Sequence, residues 1–433
     1  MSVQPRIAVD RIPLRYIDSP EQLPQMYVNF ENQYDSYREQ RVDPVTDSFM
    51  MGTLLLLSAD QKFEQGQHSA SLDDFQQATE HFQRASRVLA KSEELSVPAD
   101  YHLAPELERR AIYCQARITH AEALAELKAL RSAAREEHRM GESELKKLYQ
   151  ERLMVKKVLE LSAASYQEEM NYSQSHDDFY HSMLALRNMY KVNIRLAEQE
   201  AELDPSIEGK RAGLYRAMTW ARKVIFLGGK IPQPWFVSMQ SRIRKLTVEK
   251  YLERADHFWQ VGLELSANQQ FKQASRLFWT GVRIYENLDR IEARQEFKLQ
   301  GQMFRVTALE NDAKGSLSMD KNREASQKFQ QALELMQVLI TTVKELGNTD
   351  LVYLFQIQSN FFSGMDLFSK GILEYDDENY KGALRSIKMA QRSIKAVLTN
   401  ARKLDNKPLI TSCKDALRQI ETYLETLTLL AED

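Results

Sequence analysis

With 433 residues, 43% of them hydrophobic and 27% charged, the chain has ample material for burial and falls outside the wholesale-disordered class. A formal net charge of −3 removes any global argument for nucleic acid, so none is expected as a partner, and leaves only local charge patches to consider.

Taken in chain order, residues 1–18 contain Pro5 and Pro13 with isolated apolar side chains between them, which predicts an extended arm. Ser19, Pro20 and Gln22 have the form of a helix start: hydroxyl cap, proline in the first turn, glutamine placed to reach back. A helix of roughly fifteen residues should follow. Prolines decide most of what comes after, because an interior proline costs a helix about 3 kcal/mol. None occurs between Pro105 and Pro205 or between Pro234 and Pro408, so long helices should fill both intervals.

In the first interval Gly141 is the lone glycine, and Arg139 to Ser143 reads as the turn between helices at about 104–138 and 143–172. Asp177 and Asp178 open the next helix, Asp204-Pro205 another, and Gly228-Gly229 closes it. Beyond Pro234 a helix of some thirty residues runs to about Ser266. Turns follow at Asn268–Gln270, Gly347–Asp350, Asp376–Asn379 and Asp405–Pro408. About a dozen helices result, with little or no strand, since no period-two alternation bounded by turn residues occurs.

A spacing pattern recurs through these segments: a small residue, a ring nine positions on, a small residue three later, a bulky apolar four later, and another small residue three after that. Gly66, Phe75, Ala78, Phe82 and Ala85 form one copy; Gly262, Phe271, Ala274, Phe278 and Gly281 a second; Gly371, Tyr380, Ala383, Ile387 and Ala390 a third. Ala313, Asn322, Ala325, Phe329 and Ala332 repeat it without the ring, and Met170, Phe179, Ser182, Leu186 and Met189 repeat it loosely. Alternating small and bulky residues at three- and four-residue steps key one helix of a hairpin into its neighbour. Such hairpins cannot hide their apolar faces alone, so they stack, and the fold class expected is an all-α, curved solenoid of antiparallel hairpins, tetratricopeptide-like. The copies begin at 66, 170, 262, 313 and 371, not at the roughly thirty-four-residue period of a strict tandem array. Extra long helices must therefore intervene.

Read in order, residues from about 45 to 290 resemble the Bro domain, the curved helical module of adaptors that serve the ESCRT membrane-remodelling machinery. The resemblance is carried by Phe49 through Leu57, by Asp73 through Ala78 with Phe82 to Ala85, and by Leu103 to Leu107 leading into Cys114–Arg117 and Ala121–Ala123. It continues through Leu153–Val158 with Ala163–Tyr166, and through Trp235 to Arg244 and Tyr251 followed by Phe271–Ala274. The family's N-terminal strands have no evident counterpart, and further helical hairpins follow the matching region. The implied organisation is an arm at 1–18, a Bro-like body at 19–290, and tetratricopeptide-like hairpins at 291–433 packed continuously on it. In that family the partner is an amphipathic helix docked on an apolar patch of the concave face. The resemblance places that patch on the helix at 144–170, at Met154 and Val158. An apolar pair at this spacing is also what an ordinary core face contains.

Residues 210–250 carry Lys210, Arg211, Arg216, Arg222, Lys223, Lys230, Arg242, Arg244, Lys245 and Lys250 against the single acid Glu249. The stretch reads either as a surface for anionic lipid headgroups or an acidic partner, or as a solvated face balanced by neighbouring acids. Signals for catalysis are thin. Gly228-Gly229-Lys230 lacks the upstream glycine and following hydroxyl of a phosphate loop, and His176, Asp177, Asp178 and His181 read as helix capping, not a metal cluster. Trp220, Trp235, Trp259 and Trp279 fall in register with apolar stripes and are expected in cores. Cys114 and Cys413 suit a reducing compartment, and no window resembles a secretory signal or a membrane span. The expectation is a cytoplasmic, non-enzymatic scaffold without cofactor or metal, soluble or peripherally membrane-associated. It would bind a partner helix or peptide, in ESCRT-linked trafficking or as a structural subunit of a larger assembly such as a cytoskeletal or ciliary one.

Overall fold

The computed structural model describes residues 20–39, 44–93, 103–134 and 140–432. The expected arm at 1–18 and the Ser19 cap lie outside them. Among the described residues there are fourteen α-helices and no strand. They are α1 (Leu23–Arg38), α2 (Pro44–Glu64), α3 (His68–Glu93), α4 (Leu103–Ala134), α5 (Glu142–Ser175), α6 (Phe179–Leu203), α7 (Ile207–Phe226), α8 (Gln233–Ala267), α9 (Phe271–Ile291), α10 (Gln295–Leu317), α11 (Asn322–Glu345), α12 (Thr349–Asp376), α13 (Tyr380–Lys403) and α14 (Lys407–Glu432). A short 3-10 turn at Pro20–Gln22 precedes α1.

The chain forms two compact units, Met1–Leu246 and Thr247–Asp433. In the first, α1 packs on α2, and each helix from α2 to α6 packs on its successor. In the second the same rule holds from α9 to α14. Sequence neighbours being spatial neighbours is what makes each unit a solenoid-type stack of antiparallel hairpins.

One turn geometry recurs in both units. Gly66, Asp177, Gly228, Gln269, Asp320, Gly347, Glu378 and Asp405 all have φ between 48° and 76°. At each, the left-handed residue and the one after it return their N–H groups to the end of the preceding helix. At the α12–α13 turn, Glu378 N–H bonds to Tyr375 O at 3.0 Å and Asn379 N–H to Glu374 O at 2.8 Å. This is a Schellman closure, which satisfies carbonyls the helix end leaves open. The residue that completes it often caps the next helix: Asp178, Asn348, Asn379 and Asn406 accept from His181, Leu351, Gly382 and Leu409 N–H. Three residues thus stop one helix and start another.

This turn fixes the register of the spacing pattern. In four copies the ring position (Phe179, Phe271, Asn322, Tyr380) is the first residue of the second helix. In the copy that starts at Gly66 it is not, because Gly66 is itself the left-handed turn residue, with no side-chain neighbour for a Cβ to meet. Aligned on the turn, that hairpin reads Ala59, His68, Ser71, Phe75 and Ala78, two helical turns earlier. A seven-residue shift returns to nearly the same helix face, so the small–bulky alternation persists and the sequence alone does not separate the two registers. Ala78, Phe82 and Ala85 are nevertheless fully buried, as are Ala274, Phe278, Ala325, Phe329, Ala383 and Ile387.

The packing explains why hairpin partners differ in character. α13 buries Ala383, Ile387, Ala390, Ile394, Val397 and Ala401, a single line at steps of four and three. α12 buries Phe355, Ile357, Phe361, Phe362, Met365, Phe368 and Ile372, around much of its circumference, because it packs on α11, α13 and α14. Polar pins cross these interfaces. Ser275 and Ser326, each six residues past a left-handed turn, donate to Asp312 (2.5 Å) and Asp366 (2.6 Å) on the following helix, and Trp279 Nε1 also reaches Asp312 at 3.0 Å. Cys114 and Cys413 are free and buried.

Candidate functional site

The two side chains expected on the partner-binding helix α5 behave differently. Met154 is 57% exposed, whereas Val158 is half-buried against the cluster of Ala116, Leu127, Leu148, Val155, Leu159 and Val192. Leu161, seven residues after Met154 and so on the same face, is 61% exposed. The apolar stripe that faces solvent is therefore Met154 and Leu161, with the edge of Val158 between them. Heptad spacing from Met154 was the signal for Leu161 in the sequence.

The basic stretch is partly neutralised from α6. Arg216 pairs with Glu200 at 2.9 Å, and Arg242 pairs with Glu202. Lys223 lies over the Trp220 ring at 4.1 Å and the Tyr190 ring at 5.4 Å. Arg244 and Lys245 also have partners, while Arg211 is half-buried with its Nε lacking an acceptor. Arg222 is exposed, Lys210 is half-buried beside Asp204, and Lys230 is 4.0 Å from Glu21. Between Arg222 and Lys230 stands Phe226 at the end of α7, 89% exposed, beside Ile225. The spacing of the basic residues alone does not mark this aromatic tip.

A buried polar network joins α2, α4 and α5. Arg117 Nη2 lies 2.9 Å from Asp60 Oδ1, Tyr113 OH donates to the same carboxylate at 3.1 Å, and Arg117 Nε donates to Tyr113 OH at 2.7 Å. Arg110 donates to Thr53 Oγ1 at 2.7 Å and to Glu106 at 2.6 Å, and Arg109 also holds Glu106. Burial acts to raise the Glu106 carboxyl, but Arg110 and Arg109 outweigh it and hold it down to about 2. Glu169, 1% exposed with Oε2 unpartnered, is pushed the other way: burial raises it to about 8, and Arg109 and Arg117 only partly offset this. Burial and then Arg117 keep His120 well below the ordinary imidazole range, and its Nδ1 lies 3.2 Å from Tyr166 OH. These charges pin the register of three helices, where removing one partner strands the other in a dry interface. Asp178 caps α6 and also meets His181 Nδ1 at 2.5 Å. No group of three or more potential metal ligands occurs among the described residues.

The second unit holds a cavity of about 710 Å³ among the C-terminal end of α8, the α10 and α12 helices and the start of α14, with a smaller contribution from α11. Leu263, Met303, Val306, Phe361 and Met365 give it an apolar wall. On α10, Lys314 Nζ lies 2.6 Å from Glu310 Oε1, donates to Ser412 Oγ at 3.0 Å, and sits 5.6 Å from the Phe361 ring centroid. Asn311, 2% exposed, donates Nδ2 to Thr307 O at 2.9 Å and leaves Oδ1 with no partner. Cys413, buried on α14 next to Ser412, is pushed up to about 12 by burial. Trp259 packs in the core, as expected, and also lines this cavity. Local spacing carries no sign of it, because its walls are assembled from helices spread along the chain between Trp259 and Gln419.

No helix among the described residues is long and apolar enough to cross a membrane. No protein-family model and no curated protein matches the chain. Among solved structures, a circular tandem repeat protein with novel repeat topology and enhanced subunit contact surfaces aligns over 96% of this chain and 92% of its own, at 11% identity and a TM-score of 0.17. Nothing about this chain follows from a score that low.

Proposed function

We propose that the protein is a non-catalytic interaction scaffold whose α5 receives an amphipathic helix or peptide of a partner. The observation that carries this is the stripe of Met154 and Leu161, exposed one heptad apart on a helix whose opposite flank is fully packed. A partner helix presenting apolar residues at the same spacing would bury both, each worth about 1.5–3 kcal/mol when fully covered. The resemblance of residues 45–290 to the Bro domain supports an ESCRT-linked role in membrane trafficking. Titration of the full chain with fluorescent helical tails of ESCRT-type subunits tests it. Binding weakened at least tenfold by Met154→Asp and by Leu161→Asp supports the site, and binding untouched by both removes it. A stoichiometric complex on co-purification would instead favour a permanent structural subunit of a larger assembly.

A peripheral contact with an anionic surface is supported by Phe226 standing between Arg222 and Lys230. An exposed aromatic flanked by cations suits a headgroup layer, where the ring enters the interface and the charges stay with the phosphates. Co-sedimentation with vesicles containing 30% phosphatidylserine, lost with Phe226→Ser, is the expected result; sedimentation equal to that with neutral vesicles would refute it.

A further inference from the structure

The geometry points to the cavity of the second unit as a binding site for a small amphiphile with an apolar body and a hydrogen-bond-donating head, an amine or a hydroxyl. Its volume, about 710 Å³, lies within the range of pockets that enclose one small-molecule ligand. Its wall supplies the affinity for an apolar body, and the polar atoms on α10 decide what head that body can carry.

Those atoms are acceptors. Asn311 donates one amide N–H to Thr307 O, while its Oδ1 is buried with nothing to accept from. Buried acceptors without a partner are uncommon because desolvation leaves their lone pairs uncompensated, so a ligand donor there is favourable. Glu310, which also lines the cavity, brings a carboxylate to the same wall and holds Lys314 through Oε1. Two lysines line the cavity, and the one on α10 is committed: Lys314 is shared among Glu310, Ser412 Oγ and the Phe361 ring. A carboxylate or phosphate head would have to displace Glu310 from Lys314 and would meet Glu264 and Asp415, which also line the cavity. Lys407 is exposed at the start of α14, and Asn406 caps the first turn there. The balance selects a neutral or cationic donor and rejects an anion.

The site lies in the second unit and does not rest on the α5 reading. The test uses the full chain with N-phenyl-1-naphthylamine as fluorescent reporter, then decylamine, decanol and decanoate as competitors. Expected is saturable fluorescence at one reporter per chain, with decylamine and decanol displacing it at concentrations at least tenfold below decanoate. Thr307→Trp, which grows a ring into the cavity from α10, should abolish reporter binding. Asn311→Leu should raise the concentrations of decylamine and decanol required by about tenfold and leave decanoate unchanged; circular dichroism melts confirm that both variants fold. If Thr307→Trp is unstable, Ser412→Phe fills the same space from α14. No saturable fluorescence would overturn the proposal in favour of a groove for polypeptide side chains. Displacement by decanoate at equal or lower concentration, or retained binding in the filled variants, would overturn it as well.

Discussion

Gly262 on α8 lies flat against the ring of Phe278 on α9: a Cβ on Gly262 would come within 2.7 Å of Phe278 Cζ. That ring has no room to retreat, because Trp259 and Phe304 hold it edge-on at centroid distances of 5.5 and 6.2 Å. Gly262→Ala should therefore destabilise the second unit by about 1–3 kcal/mol despite the better helix propensity of alanine. Urea unfolding followed by circular dichroism reads the change, and a neutral or stabilising result would show that the two helices can separate freely.

Ala274→Glu addresses the same interface from the other side. Ala274 is fully buried in the cluster with Val248, Ala255 and Phe278, so a carboxylate there has neither space nor a counter-charge. A loss of roughly 3–5 kcal/mol is expected. Wild-type melting in this variant would mean the position faces water.

The turns predict the opposite sign. Glu378 holds φ 63° with a side chain, a conformation that costs a non-glycine residue about 1 kcal/mol, and Gly347 holds φ 72° without one. Glu378→Gly should raise the denaturation midpoint slightly and Gly347→Ala should lower it, each by about 1 kcal/mol. Equal midpoints for both variants and wild type would remove the strain argument.

Stability should fall on both sides of a pH window set by two carboxyls of the first unit. Glu106 is depressed from 4.5 to about 2, so its contribution is complete above about 4.5 and is lost as pH falls toward 2. Glu169 is raised from 4.5 to about 8: it stays protonated in the folded chain while the unfolded chain ionises it, so stability declines as pH rises from about 4.5 to 8. Glu169→Gln should flatten the alkaline limb of a melting-temperature profile from pH 3 to 9 and leave the acid limb in place. An unchanged alkaline slope would mean that Glu169 is ionised when folded.

On α5, exposure separates two neighbours of similar chemistry. Met154→Asp should leave stability within about 0.5 kcal/mol of wild type, since the side chain faces solvent. Val158→Asp, half-buried against Leu159 and Val155, should cost more than about 1 kcal/mol. Similar losses in both would place Met154 in a contact.

Much of the hairpin architecture is written locally. Ala325, Phe329, Ala332, Ala383, Ile387 and Ala390 could be assigned to interfaces from spacing alone, because helical periodicity puts them on one face and small side chains permit close approach. Gly66 shows where this fails: a seven-residue shift preserves the face, and only the φ of 76° tells a turn glycine from a packing glycine. The candidate sites were less legible. Val158 and Met154 are equivalent in sequence and differ in exposure only because α4 and α6 cover one flank of α5.

Helicity, the ends of most helices and the faces they bury are all legible along the chain, since proline, turn residues and periodic apolar spacing act within a few residues of where they stand. Which charges are satisfied and which apolar surface is left over depends instead on the packing of distant helices. The pairing of Lys314 with Ser412, that of Arg117 with Asp60, and the burial of the unpartnered oxygen of Asn311 depend on residues tens of positions apart being packed together. Local spacing carries no information about such encounters, because they are set by how helices stack.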